Sequence, residues 1–113
     1  MKYNIIVLGA GLVGSAITID LSKNHNVTSA DINPESFLKF QNYPTIKTVS
    51  ADLGDVEKVK EIVKDYDLVI GAVPGFMGYQ TMKAVIEAGK NMVDISFMSE
   101  DFCLLYTSDA ADE

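Results

Sequence analysis

The chain contains no arginine, a single cysteine (Cys103) and no apolar run approaching the thickness of a bilayer. Each absence excludes something. Without arginine there is no bidentate guanidinium fork for a phosphate, so any phosphate must be held by backbone amides, a helix end or lysine. A lone cysteine forms no internal disulfide, which points to a reducing compartment, the cytoplasm by default. A membrane-spanning helix needs about 18 consecutive apolar residues. The four apolar residues Ile5 to Leu8 behind Met1-Lys2-Tyr3-Asn4 are too few for a signal-peptide core. No metal-ligand spacing, internal repeat or low-complexity linker is present. Positive charge is scarce as well. Nine lysines face sixteen acids for a formal net charge of −7, and residues 51–113 hold thirteen of those acids. Such a chain repels phosphate backbones and anionic lipid, which argues against nucleic-acid and membrane-surface roles.

What is present reads as one globular domain: 113 residues, 48% hydrophobic and 22% charged. Tyr3 to Leu8 is a continuous apolar run, as in a strand buried on both faces. From Leu12 to Ser22 the pattern turns helical, with Val13, Ala16, Ile17, Asp20 and Leu21 at threes and fours, and Asn24-His25-Asn26 ends it. Val27 to Asp31 is a second strand. Asn33-Pro34-Glu35 starts a short helix, with Asn33 as N-cap and Pro34 at the first helical position. That helix stops near Asn42. Ile46 to Ser50 reads as a third strand. Asp55 caps a helix whose apolar stripe is Val56, Val59, Ile62 and Val63. Asp67 to Val73 is a fourth strand, and a helix from about Tyr79 to Ala88 stops at Gly89. Asn91 to Phe97 is the fifth strand. Strands alternating with helices predict an α/β fold: a Rossmann-like, doubly wound parallel sheet of five strands in the order 3-2-1-4-5.

Gly9-Ala10-Gly11-Leu12-Val13-Gly14 is a G-x-G-x-x-G turn between the first strand and the first helix. Gly9 permits the tight turn, Gly11 lets the backbone approach a pyrophosphate, and Gly14 lets helix and strand pack closely. The helix N-terminus offers N–H groups and the positive end of its dipole, which needs no arginine. Asp31 closes the second strand 22 residues after Gly9, as the dinucleotide fingerprint requires. Its carboxylate suits the adenosine ribose hydroxyls and repels a 2′-phosphate, so the expected cofactor is NAD, with NADP less favoured. A lysine would have to receive that phosphate, the nearest in sequence being Lys23 and Lys39. Ile32 after Asp31, Leu12 and Val13 in the glycine turn, Asp52 and Leu53 after the third strand, and Ala72, Val73 and Pro74 at the end of the fourth complete the candidate site. Asp52 is equally a turn residue. Asp94 and Ser96 share one face of the fifth strand, where they could border the nicotinamide or form a buried hydrogen-bonded pair. His25 lies on the surface at the opposite edge. No general acid or base stands out, so no catalytic residue is assigned, nor any metal ligand.

These residues resemble the NAD(P)-binding domain of the saccharopine dehydrogenase family, which includes lysine dehydrogenases. The resemblance rests on VLGAGLVGSAI with AD at Asp31, ADLGD around Asp52, DLVIGAVP before Gly75, and AVIEAGKNMVDIS from Ala84 to Ser96. It covers residues 1 to about 102. It implies a two-domain oxidoreductase acting on the C–N bond of an amino acid or a secondary amine. Substrate pocket, proton-transfer groups and any homo-oligomer contacts would belong to a later domain. Asp31 departs from the members that use NADP. Residues 103–113 continue neither sheet nor family pattern and are similar to translated adapter sequence on truncated genes, so they are set apart as a non-native tail. Two other readings share part of the pattern. Nucleotide-sensing regulatory domains of potassium channels and transporters have the same turn and strand-end aspartate, but Pro74-Gly75 and the VDIS strand favour the dehydrogenase. Short-chain reductases and epimerases space their glycines as G-x-x-G-x-x-G, unlike Gly9, Gly11 and Gly14.

Overall fold

The computed structural model describes residues 2–73 and 75–95, so the assignments made to Pro74, Ser96 and the 103–113 tail lie outside the described residues. Among the described residues nine elements follow one another: β1 (Asn4–Leu8), α1 (Leu12–Ser22), β2 (Asn26–Asp31), a 3-10 helix (Pro34–Phe40), β3 (Lys47–Ser50), α2 (Val56–Val63), β4 (Leu68–Gly71), α3 (Gly75–Glu87) and β5 (Asn91–Asp94). All strand pairs are parallel and the order is β3-β2-β1-β4-β5, as expected from the sequence.

β1 is central, and its alternation assigns the two faces. Ile6 and Leu8 join Ala30 and Val69 in a cluster closed by Val59 and Val63 of α2 and by Ala84 and Val85 of α3. Ile5 and Val7 point the other way, with Val27 and Ile70, onto Ile17 and Leu21 of α1. A third cluster, Ala10 with Phe40 and Ile46, ties the segment after β2 to the glycine turn. The layers are therefore helix, sheet, helix.

Local signals explain most boundaries. Asn33 caps the 3-10 helix by accepting from the Glu35 N–H at 3.0 Å. Asp55 caps α2 by accepting from the N–H groups of Glu57 and Lys58. Gly89, at φ +77°, follows the end of α3 in the left-handed conformation that favours glycine. Across the α2–α3 contact, Lys60 pairs with Glu87 at 3.1 Å. That carboxylate beside it holds the Lys60 ammonium above its ordinary range.

Two expectations need correction. α3 begins at Gly75, four residues before the expected Tyr79. The glycines at Gly75 and Gly78 hide its first turn from a propensity reading, because glycine disfavours a helix interior. Of the stripe that its spacing suggested, α1 packs Ile17 and Leu21 half-buried against the sheet, but these are not its most buried residues. Its buried residues are Gly14, Ser15 and Thr18, while Ala16 and Asp20 are exposed. Small residues face inward because this helix lies close against the sheet, and the Ser15 and Thr18 hydroxyls are satisfied locally by the carbonyls of Ala10 and Gly14.

Candidate functional site

In the strand order, β1 lies between β2 and β4, and the chain passes from β2 through edge strand β3 to reach β4. Connections leaving β1 and β4 thus diverge at their C-terminal ends, the position where open α/β sheets bind ligands. Two segments meet there: the glycine turn after Leu8 and Ala72-Val73 after Gly71.

Gly9 sits at φ +110°, and a Cβ on it would fall 2.5 Å from the Ala72 carbonyl oxygen. The turn is therefore pressed against the start of the β4–α3 connection, and only glycine fits by both torsion and space. A Cβ on Gly14 would strike the Gly9 carbonyl and the Ala72 side chain. Gly9 and Gly14 are thus required by packing alone. Gly11 differs. As N-cap of α1 it has φ −72° and ψ −163°, a conformation open to any residue, and it supplies no side chain to cap the helix. The first turn of α1 holds no acid. An anion at this end would meet backbone N–H groups and the positive end of the helix dipole. Leu12 is 67% exposed on the rim, and Val13 is half-buried.

Asp31 lies at the end of β2, half-buried, beside the turn. Its Oδ2 accepts from the Ala10 N–H at 2.7 Å and its Oδ1 from the Asn33 N–H at 2.9 Å. These bonds fix the carboxylate at the glycine turn. Each oxygen retains a further lone pair, so the group can still accept from a hydroxyl. Ile32, next in the chain, is exposed, as an apolar side chain beside a ligand would be.

Other candidates divide. Asp52 is exposed and its Oδ1 accepts from the Gly54 N–H at 2.9 Å, the geometry of a turn-forming aspartate. Leu53 and Val73 are buried in the main core cluster. Ala72 is half-buried against Gly9 and Gly14. Asp94 of β5 pairs in register with Gly71 of β4. His25 lies at the opposite edge, where its Nδ1 accepts from the Tyr3 N–H. Among the described residues no group of three or more His, Cys, Asp or Glu could hold a metal ion. No helix among them is long and apolar enough to cross a membrane.

Two contacts at the turn were not expected from the sequence. The Ala10 carbonyl accepts from the Ser15 hydroxyl and from the Lys39 ammonium, both at 2.8 Å. A hydroxyl residue in the first turn of a helix that follows a glycine turn is a usable signal for the first. The second has no local signal, because 29 residues separate the partners.

Residues 5–112 match the family model described as "Saccharopine dehydrogenase NADP binding domain". Among curated proteins, the chain is 30% identical over 102 residues to mitochondrial alpha-aminoadipic semialdehyde synthase of Mus musculus, covering 87% of this chain and 11% of that protein. It is 29% identical over 99 residues to saccharopine dehydrogenase [NADP(+), L-glutamate-forming] of Schizosaccharomyces pombe, covering 85% and 22%. Apo saccharopine dehydrogenase (L-Glu forming) of Saccharomyces cerevisiae superposes with a TM-score of 0.74 at 25% identity, covering 88% of this chain and 23% of that one. The chain therefore spans less than a quarter of each of these relatives.

Proposed function

We propose, since the chain belongs to the saccharopine dehydrogenase NADP binding domain family, that it is the dinucleotide-holding part of an oxidoreductase acting on the C–N bond of an amino acid or secondary amine. The observation that carries this is the junction of Gly9, Gly11 and Gly14 with Asp31 at the C-terminal ends of β1 and β2, tied together by the Ala10 N–H. Relatives named for saccharopine supply the substrate class.

The residues present fit a dinucleotide. The Gly11 cap and the first turn of α1 would take the pyrophosphate, Asp31 the adenosine ribose hydroxyls, and Ile32 with Leu12 the flanking apolar surface. When bound, the dinucleotide supplies the hydride-accepting ring. The chain's own part is to bind and orient it. Gly9 and Gly14 hold the turn against Ala72, and the Asp31 carboxylate fixes the ribose end. We assign no catalytic residue to this chain and place proton transfer and substrate binding in a later domain. That assignment separates the reading from a purely nucleotide-sensing domain, which shares the turn and the aspartate; membership of a dehydrogenase family favours the enzyme.

The family is named for NADP, whereas the carboxylate at Asp31 favours NAD, and we infer that this chain binds NAD more tightly than NADP. Calorimetric titration of the chain with each dinucleotide tests both statements. NAD binding with the lower Kd is expected; equal or tighter NADP binding overturns the preference, and failure to bind either overturns the site.

A further inference from the structure

Lys39 carries a consequence for cofactor choice. It lies near the C-terminal end of the 3-10 helix that follows Asp31, and its ammonium donates to the Ala10 carbonyl at 2.8 Å. The N–H of the same residue, Ala10, donates to Asp31 Oδ2 at 2.7 Å. One residue of the glycine turn thus carries the carboxylate on its N–H and the ammonium on its carbonyl. Standard backbone dimensions then bring Lys39 Nζ within about 9 Å of Asp31 Oδ2.

The placement is built into the fold. The Asn33 N–H bonds to Asp31 and the Asn33 side chain caps the 3-10 helix, which turns the chain back as it leaves β2. Phe40, 5% exposed, then packs beside Ala10 and Ile46 and anchors the neighbouring Lys39 next to the turn. Lys39 itself is exposed. Lys23 is excluded from this role. It follows α1 at its far end, ~18 Å from Gly11 at 1.5 Å per residue, and pairs with Asp20 at 3.6 Å.

We propose that Lys39 is the specificity-determining residue that admits a 2′-phosphate, leaving the Ala10 carbonyl to meet it. This rests on the dinucleotide site described above and deepens it. A 2′-phosphate sits on the ribose hydroxyl next to Asp31 and carries nearly two negative charges. With no arginine in the chain, a compact ammonium on a flexible four-carbon stem is the group able to reach it. The Ala10 carbonyl keeps the Ser15 hydroxyl as donor when the ammonium leaves, so the exchange strands no buried acceptor. Asp31 and Lys39 then act in opposition: the carboxylate disfavours NADP and the ammonium narrows the gap.

The test is calorimetric titration of wild type, Lys39→Met and Lys39→Arg with NAD and NADP, and with 5′-AMP and adenosine 2′,5′-bisphosphate as probes. Lys39→Met should raise the ratio of the NADP Kd to the NAD Kd about tenfold, with the same direction for the two adenosine probes. Lys39→Arg should restore the wild-type ratio, and 0.5 M salt should erase most of the difference. Equal weakening of both dinucleotides would make Lys39 a brace of the glycine turn and overturn the proposal, as would an unchanged ratio. If wild type binds neither dinucleotide, the site itself is refuted, and the Lys39 assignment with it. Thermal melts of both variants check that they fold; Lys39 is exposed, so near-wild-type Tm is expected.

Discussion

The three glycines of the turn look alike in the sequence and have different physical duties. Gly9 is required by a φ of +110° and by the Ala72 carbonyl, and Gly14 by the Gly9 carbonyl. Gly11 has an ordinary torsion. Gly9→Ala should therefore cost stability, about 1–3 kcal/mol for forcing a side chain into a disfavoured conformation, and a thermal melt will show it. Gly11→Val should leave Tm nearly unchanged while abolishing dinucleotide binding, because the side chain would fill the space a pyrophosphate needs. Unchanged NAD affinity in that variant would refute the phosphate-cradle role. Asp31→Ser tests the ribose end. Each charge-assisted hydrogen bond from the carboxylate is worth about 1.5–3 kcal/mol. Repulsion of a 2′-phosphate adds up to about 4 kcal/mol per charge pair at 4 Å and an effective dielectric near 20. After solvent screening, about 2–3 kcal/mol of preference would remain, roughly 30- to 150-fold. The variant should lose NAD affinity more clearly than it gains NADP affinity, since part of the phosphate's environment is lacking. Titration of both dinucleotides against the variant reads this directly.

At the level of elements, local chemistry was legible wherever a single residue closes a backbone hydrogen bond. Asn33, Asp55 and Gly89 each occupy the cap or stop position that their residue types indicated. Asp55→Ala should lower stability by about 1 kcal/mol, the usual worth of an N-cap side chain. That corresponds to a fall of about 4 °C in Tm for a domain of this size, and a change below 1 °C would show that α2 does not depend on its cap. In α2 the expected stripe is buried at Val59 and Val63, while Val56 is 36% exposed at the first turn, where the helix has not yet reached the sheet. α1 was less legible. Its fully buried residues are Gly14, Ser15 and Thr18, beside half-buried Ile17 and Leu21, and hydrophobic periodicity does not register the small-residue part of that face. The site shows the same divide. The turn, Asp31 and the exposed Ile32 were readable because they are contiguous with strand ends. Asp52 proves to be bonded within its own turn.

For the whole molecule, the role we propose is to hold the dinucleotide, with no general acid or base assigned to this chain. The purified chain should therefore produce no NADH or NADPH from lysine or saccharopine under steady-state conditions, even while binding NAD; sustained absorbance growth at 340 nm would place catalytic groups within it. The relatives' much greater length accords with that division of labour. By itself the sequence determined the strand order, the glycine turn and the strand-end carboxylate, because buried strands, tight turns and caps are each dictated by near neighbours along the chain. Tertiary structure alone decided which glycines are sterically obligatory, since the atoms that exclude a Cβ at Gly9 come from Ala72, 63 positions away on another strand's exit. It also decided which of two candidate lysines stands at the glycine turn. Lys23 lies nearer to the turn in the sequence, yet a straight helix carries it to the far edge, whereas the fold-back after Asn33 returns Lys39 to the Ala10 carbonyl. Proximity in space there depends on the path of the backbone, which no local pattern encodes.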